Sequence, residues 1–510
     1  MLRSKYLKSL LVFVFLNLHS VFVYAEDAQG NAASQNMTLR AVLEAILSRH
    51  PDMALSKLDT AITENDESRL AALLDPTISG RLTLSDDQSP IASDFQPEKT
   101  QFGGISGQYL KPLASGSSFS ASVDYSRTRQ DFASPFAAQL AKINPAYRGG
   151  LSLSYRVPLL RGVDRPEYNQ ALLAVKADVQ VSQLQRKIVA RALSLQALSV
   201  FFNLVSDGLS LELAQAAAER ANRLLEYQGF RERFGLIDDA DKKQVEALLA
   251  ARKMELQQAK ARLRSNQVNL NRLMIRDIDA PLSVSVSDER VPLHAANLIA
   301  VTNIAVKKRP EFGILDAQYE AAESRLRIAQ NTEKMQLDVV AELGTQSLES
   351  TSGDGVTKAL DPQDRFVGLS LELSDTVGRR AARADIRMAE LNKLRVQVQR
   401  KQFVERVRDE MATAITTLKT GAAVLTLANQ RAEAEQKKYN AEMKRYREGR
   451  SDTATIVQFE GDLQRAALEA TLQQQALLFT DKQFSWAKGV MLEELGVKAW
   501  SLEKTGHAAQ

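Results

Sequence analysis

Cysteine is absent from the 510 residues. That excludes a disulfide framework, a thiolate metal site, a Cys nucleophile and a lipid anchor on an N-terminal Cys. Histidine is nearly absent. His19, His50, His294 and His507 stand singly, and no two are spaced as metal ligands. No metal or cofactor is therefore expected. No His/Asp/Ser set and no phosphate loop stands out either, so the chain does not read as an enzyme. Glycine is scarce, 24 of 510 residues, about 5% against a usual ~7%, and aromatics reach only 6%. This composition suits long helices better than an all-β protein. A dominant charge is missing too. The net charge is +4, and Arg3, Lys5 and Lys8 fall in a leader-like segment whose removal leaves +1. Such a balance gives no claim on nucleic acid.

What is present begins at residues 1–25. A basic stretch precedes an apolar run from Leu10 to Val23, and Val23-Tyr24-Ala25 offers small or apolar residues before Glu26-Asp27. These are the three parts of a secretory signal peptide. The apolar core is shorter than the ~20 residues of a membrane span and contains Asn17 and His19, so cleavage is expected rather than anchoring. No later run of eighteen consecutive apolar residues exists, and no transmembrane helix is expected. An exported chain of this kind is periplasmic, secreted, or an outer-membrane β-barrel.

The sequence repeats itself. Glu67-Ser68-Arg69-Leu70 recurs as Glu323-Ser324-Arg325-Leu326, and Gly150-Leu151-Ser152-Leu153 as Gly368-Leu369-Ser370-Leu371. Phe234-Gly235 and Glu448-Gly449 each follow an Arg-rich helix end, 214 residues apart. At that same offset Leu249, Leu256, Leu263 and Leu270 map onto Leu463, Ala470, Leu477 and Phe484. We divide the chain into a signal peptide (1–25), a flexible N-terminus (26–37), a first repeat (38–275), an inter-repeat segment (276–292), a second repeat (293–491) and a tail (492–510).

Each repeat pairs a long helix with two shorter ones. Val404, Met411, Leu418, Leu425, Ala432, Tyr439 and Tyr446 are each seven apart, with Ala414, Gly421 and Ala428 interleaved. A strict heptad period imposes supercoiling, and small residues allow close approach. Ile188, Leu195, Phe202, Leu209 and Ala216 repeat the pattern. The expected helices are 39–74, 165–233 and 238–274, then 297–333, 377–448 and 452–491. A helix of about seventy residues spans ~105 Å. The flanking helices are about half as long, so two of them end to end would match one long rod.

Between the first and second helix of each repeat the period changes to two. Phe119, Ala121, Val123 and Tyr125 alternate with Ser118, Ser120, Ser122 and Asp124; Leu151, Leu153 and Tyr155 alternate with Ser152, Ser154 and Arg156. Strands are expected near 77–86, 101–110, 118–128, 149–157, 337–345 and 366–375. One apolar and one polar face fits a half-buried soluble strand or one between lipid and a wet lumen. The signal peptide, the Ser-rich face and the polar connections favour lipid. A lipid-spanning sheet must close, and four to six strands are fewer than the smallest known single-chain barrels. The chain therefore needs copies of itself.

These features resemble the TolC-like outer-membrane efflux protein family across about 38–495. Val157-Pro158-Leu159-Leu160-Arg161-Gly162 looks like the family's strand exit, with Pro158 and Gly162. Val377-Gly378-Arg379-Arg380-Ala381 looks like the start of its second long helix, and Arg445-Tyr446-Arg447-Glu448-Gly449-Arg450-Ser451-Asp452 resembles its hairpin tip. The resemblance implies a mainly α fold with a membrane β-barrel portion, built from duplicated helix–β–helix repeats. It implies a homotrimer that pools strands into one barrel and helices into a periplasmic tunnel. A belt would form from Asp279–Val291, strand-like at Leu282–Val286, and the C-terminal region. The partners implied are a periplasmic adaptor, an inner-membrane pump of RND, ABC or MFS type, and outer-membrane lipid of a Gram-negative cell. The implied function is a passive exit duct; a soluble periplasmic coiled-coil adaptor or scaffold is the alternative. Two departures stand out: six strands where the family usually has four, so that the barrel is larger or one hairpin folds outside it, and Asp375-Thr376 where the second repeat should have its exit Pro.

The expected site residues cluster at the tips. Gly235 and Gly449 suit the positive φ of a sharp helix reversal. Asp238, Asp239 and Asp241 follow the first tip and Asp452 the second; in three copies they would form carboxylate rings at a tunnel entrance. Asp238 and Asp452 also suit N-caps, and Asp241 suits a first helical turn. Arg445 and Arg447 read either as partners of the tip acids or as solvated cations at a helix end.

Overall fold

A computed structural model describes residues 36–284 and 297–497. The signal-peptide reading of 1–25 lies outside the described residues, as do 285–292 of the inter-repeat segment and most of the tail. In chain order the elements are β1 (Asn36–Met37), α1 (Leu39–Arg49), α2 (Pro51–Ala71), β2 (Thr77–Asp87), β3 (Lys99–Pro112), β4 (Ser118–Asp131), α3 (Pro135–Leu140), β5 (Ala146–Pro158), α4 (Pro166–Arg233) and α5 (Asp239–Leu273). There follow β6 (Ser283–Val284), α6 (Leu298–Lys308), α7 (Pro310–Thr332), β7 (Gln336–Glu349), α8 (Ser352–Lys358), β8 (Arg365–Ser374), α9 (Arg380–Arg447), α10 (Thr453–Lys488) and α11 (Met491–Glu494).

Two expectations are corrected. The helix expected over 39–74 is two helices, and so is that over 297–333. Both break before a proline, at His50-Pro51 and Arg309-Pro310. Proline cannot donate to the preceding turn and drives the residue before it out of the helical region. His50 and Arg309 accordingly sit at ψ 133° and 127°. The N-terminal segment expected to be flexible ends in Asn36 and Met37, which pair in parallel with Ser283 and Val284.

The long helices α4 and α9 have 68 residues each. At 1.5 Å per residue each is a rod of about 102 Å. The shorter helices complete two more rods, lying one beyond the other along the long ones: α2 and α5 on α4, and α7 and α10 between α4 and α9. Contacts along their lengths fix the order: the α2/α5 rod, then α4, then the α7/α10 rod, then α9. The inner rod α4 buries 17 residues and the outer rod α9 only 6. Each of α4 and α9 holds an eighteen-residue stretch apolar enough, by composition, for a membrane span. In α4 that stretch is half buried. Leu193, Ala197, Leu198, Phe201 and Phe202 join Val42, Leu43, Ile46, Leu270 and Met274 in the largest core of the chain. Alanines 174, 177, 317 and 321 form the seam between α4 and α7. On the other side, a Cβ at Gly421 of α9 would lie 3.3 Å from Leu477 of α10.

All six long strands form one antiparallel sheet in the order β2-β3-β4-β5-β7-β8. The extra hairpin belongs to the same sheet as the others and does not fold outside it.

Candidate functional site

The sheet has two chemically opposite faces. Residues opposite one another in register share a face. Ile78, Leu82, Leu84, Ile105, Val123, Leu151, Leu153, Leu343, Val367, Leu369, Leu371 and Leu373 therefore fall on one side. Most of these side chains are bare; Ile78 is 84% exposed and Leu369 78%. Tyr109, Phe119 and Tyr155 border this band at the end nearest the helices. Tyr125 and Tyr147, stacked with ring centroids 6.5 Å apart, border it at the other. An apolar band between two aromatic rows is the pattern that a membrane barrel turns toward lipid. The opposite face is polar. Ser120 bonds Ser154 and Ser122 bonds Ser152, both at 2.6 Å. Near the helices, Arg156 Nη1 bridges Asp338 Oδ2 at 2.8 Å and Glu372 Oε2 at 2.6 Å.

The strand-to-helix junctions are alike in both repeats. Pro158 ends β5, and the chain turns at Gly162 (φ 88°) and enters α4 through Arg165 at φ 39°. Gly378 (φ 89°) and Arg379 (φ 46°) do the same before α9. The second junction works without proline because Asp375 takes its place. Its carboxylate accepts the Thr376 amide at 2.9 Å and the Arg379 guanidinium at 3.1 and 2.5 Å.

At the opposite end, Gly235 (φ 68°) and Gly449 (φ 76°) close the two hairpins. Their left-handed backbone is what each reversal requires. Asp452 caps α10, accepting the Thr455 amide at 2.7 Å and the Thr455 hydroxyl at 3.0 Å. Those bonds hold its carboxyl below the ordinary value of 3.8. Asp238 occupies the N-cap position of α5 without a side-chain cap bond, and Asp239 and Asp241 lie in that helix's first turn. Arg445 pairs at 3.4 Å with Glu442 on its own helix rather than with a tip acid. Arg447 is exposed and has no ion pair among the described residues. Among the described residues no group of three or more His, Asp or Glu is placed to hold a metal.

What joins the tips is a set of buried groups that sequence reasoning missed. Gln228 Nε2 donates to Tyr446 Oη at 2.5 Å and to Thr453 Oγ1 at 2.9 Å, and all three side chains are buried. The Arg231 guanidinium lies 5.1 Å from the centre of the Tyr446 ring. Further along, Glu460 on α10 is 1% exposed and lies between two arginines of the other hairpin. Arg252 Nη2 contacts its Oε2 at 2.7 Å, and Arg220 Nη2 its Oε1 at 3.2 Å. Burial opposes the Arg252 charge, but attraction and hydrogen bonds from Glu460 and Glu255 outweigh it and hold its pKa above the ordinary value. A charged residue four after Ile456 and three before Leu463, on the apolar face of α10, was the available signal. Its partners lie more than 200 residues away.

A duplicated unit with a two-faced sheet over four long rods defines a class: the TolC-like fold of outer-membrane channels. No sequence-family model and no curated protein sequence matches the chain. Solved structures do. CusC, described as forming a transmembrane channel, aligns with a TM-score of 0.65 at 12% identity over 91% of this chain and 99% of its own. The outer-membrane protein VceC from Vibrio cholerae gives 0.61 at 14% over 90% and 96%. The outer-membrane channel MtrE from Neisseria gonorrhoeae gives 0.60 at 16%, with 89% of each chain covered.

Proposed function

We propose that the chain is the outer-membrane exit duct of a tripartite export system and that it works as a homotrimer. The observation that carries this reading is the sheet: six strands, an apolar outer face, a serine-lined inner face, and two open edges. A soluble adaptor would not bare a band of leucine, isoleucine and valine to water. In lipid that same band is stabilising, and the edges must be closed by further copies. The rods, about 102 Å long, exceed the ~30 Å hydrocarbon core several-fold and suit an aqueous compartment.

The duct is passive and not an enzyme. An inner-membrane pump of RND, ABC or MFS type, reached through a periplasmic adaptor, supplies the energy and chooses the substrate. The adaptor meets the tips at Gly235, Gly449, Arg445 and Arg447. Asp238, Asp239 and Asp241 ring the entrance, whereas Asp452 serves its helix first. Opening moves the α9–α10 hairpin away from α4 and α5, against the Gln228–Tyr446–Thr453 and Glu460 contacts.

Cell fractionation tests the location. The protein should sediment with the outer membrane and require detergent for release; recovery only in the soluble periplasm would sink the duct. Planar-bilayer recording of Asp241→Ala tests the entrance ring. Weaker cation preference is expected, and an unchanged preference would remove Asp241 from the ring.

A further inference from the structure

Arg191, Arg252 and Arg309 are all buried, each no more than 9% exposed. A buried charge is costly unless it is paired. Two of these arginines are held by two carboxylates each. Arg252 takes Glu460 and Glu255, and Arg309 takes Glu410 at 2.7 Å and Glu311 at 3.2 Å. Arg191 differs. Its Nη1 and Nη2 are buried and find no hydrogen-bond acceptor among the described residues. The guanidinium lies instead against Trp486, with Cζ 4.8 Å from the ring centre. The Trp486 indole N–H donates to the Arg191 carbonyl at 2.8 Å and fixes the ring there. Burial pushes the Arg191 pKa below its ordinary value, and the nearby charge of Glu311 does not restore it.

Arg191 lines a cavity of about 350 Å³ where α10 ends, beside the proline break between α6 and α7. Small-molecule sites begin at roughly that size. Gly489 (φ 82°) turns the chain against the guanidinium, and a Cβ there would lie 3.1 Å from Nη1. Pro310, Trp486, Met491, Leu492 and Val497 supply an apolar wall. Lys187 and the Lys308–Glu493 pair, joined at 2.8 Å, supply a charged rim. Lys187 is exposed and has no ion pair among the described residues. The Lys308–Glu493 pair is neutral, so Arg191 and Lys187 leave the cavity with two uncompensated positive charges.

We propose that this cavity binds a small amphipathic oxyanion. The ligand is a carboxylate or a phosphate monoester whose head takes the Arg191 fork and whose compact apolar body lies against Trp486 and Leu492. A guanidinium presents parallel N–H donors that match a carboxylate or phosphate, and it does not shed its proton to escape burial. The two positive charges disfavour a cation. A wholly apolar ligand would leave Arg191 unpaired. The site is separate from the sheet and from the hairpin tips, and it does not depend on the duct reading. A bound anion ties α4 to the end of α10 and raises stability by mass action.

Tryptophan fluorescence makes the test direct, because the chain has only Trp486 and Trp500. The full chain carrying Trp500→Phe, in a neutral detergent, is titrated with benzoate, phenyl phosphate, inorganic phosphate and benzyl alcohol. Trp486 emission should change saturably with benzoate or phenyl phosphate, and the thermal midpoint should rise over the same concentrations. The tighter of the two identifies the head group. Inorganic phosphate and benzyl alcohol each carry half of the ligand and should bind at least about tenfold more weakly. Lys187→Ala, an exposed substitution that leaves the fold intact, should weaken binding several-fold. Arg191→Met keeps the side-chain length and should abolish the response. Without anion it should be as stable as its parent or more so, since it removes an unpaired buried charge. A marked loss of stability in anion-free Arg191→Met would show that the guanidinium is paired within the chain, and would overturn the site. So would a parent protein that does not respond to benzoate or phenyl phosphate, or that responds as Arg191→Met does.

Discussion

Glu460 shows how one residue holds two hairpins together. Its carboxylate is enclosed and takes both Arg220 and Arg252. Removing one member of a buried ionic cluster leaves the rest uncompensated, at a typical cost of about 3–5 kcal/mol. Glu460→Ala should therefore lower the thermal midpoint sharply, and a calorimetric scan without a shift would contradict the arrangement. Tyr446→Phe is gentler. It removes the hydroxyl shared by Gln228 and Thr453 and keeps the buried ring, so the fold should survive while tip contacts weaken. Higher single-channel conductance is expected in planar bilayers. Asp452 gives a pH dependence. Its folded-state pKa is depressed, so the stabilisation is complete above the ordinary value near 3.8 and is lost as pH falls through the folded value. Loosening of the α10 start should appear below about pH 4 by hydrogen exchange, and Asp452→Asn should abolish that acid dependence. The Asp452 cap was legible, but the contacts of Glu460 and of Gln228 across the two hairpins were not, because pairs more than 200 residues apart leave no local pattern. Only the oddity of Glu460 on an apolar helical face was visible.

Elements were more legible, since each rests on a short-range rule. The strands followed from the two-residue alternation, and in the structure they extend one to four residues beyond several of the expected ends. The long helices followed from heptads and from the left-handed glycines that end them. What was missed is instructive because the signal was present. Pro51 and Pro310 each stand inside a stretch read as one helix, and a proline by itself marks the end of the turn before it. The glycine tips give the element-scale prediction. A non-glycine residue in the left-handed region costs about 1–2 kcal/mol. Gly235→Ala and Gly449→Ala should each reduce stability by about that amount, measured by denaturant unfolding in detergent. A neutral result would mean that the turn relaxes out of its positive φ.

At the scale of the molecule, two ambiguities of the sequence are resolved by topology. Six strands could have been a larger barrel or four strands and a stray hairpin; hydrogen-bonded register from Thr77 to Ser374 makes them one sheet. The missing proline of the second junction could have meant a different exit; Asp375 and Arg379 build the same turn by other means. The copies that the proposed duct requires were legible only as a deficit, in that one chain has edges and apolar surface it does not cover. Electron microscopy of the detergent-purified protein tests for those copies most directly. The account predicts a threefold particle with a β ring in the micelle and a helical barrel about 100 Å long projecting from it. A monodisperse, water-soluble monomer with no micelle would contradict it.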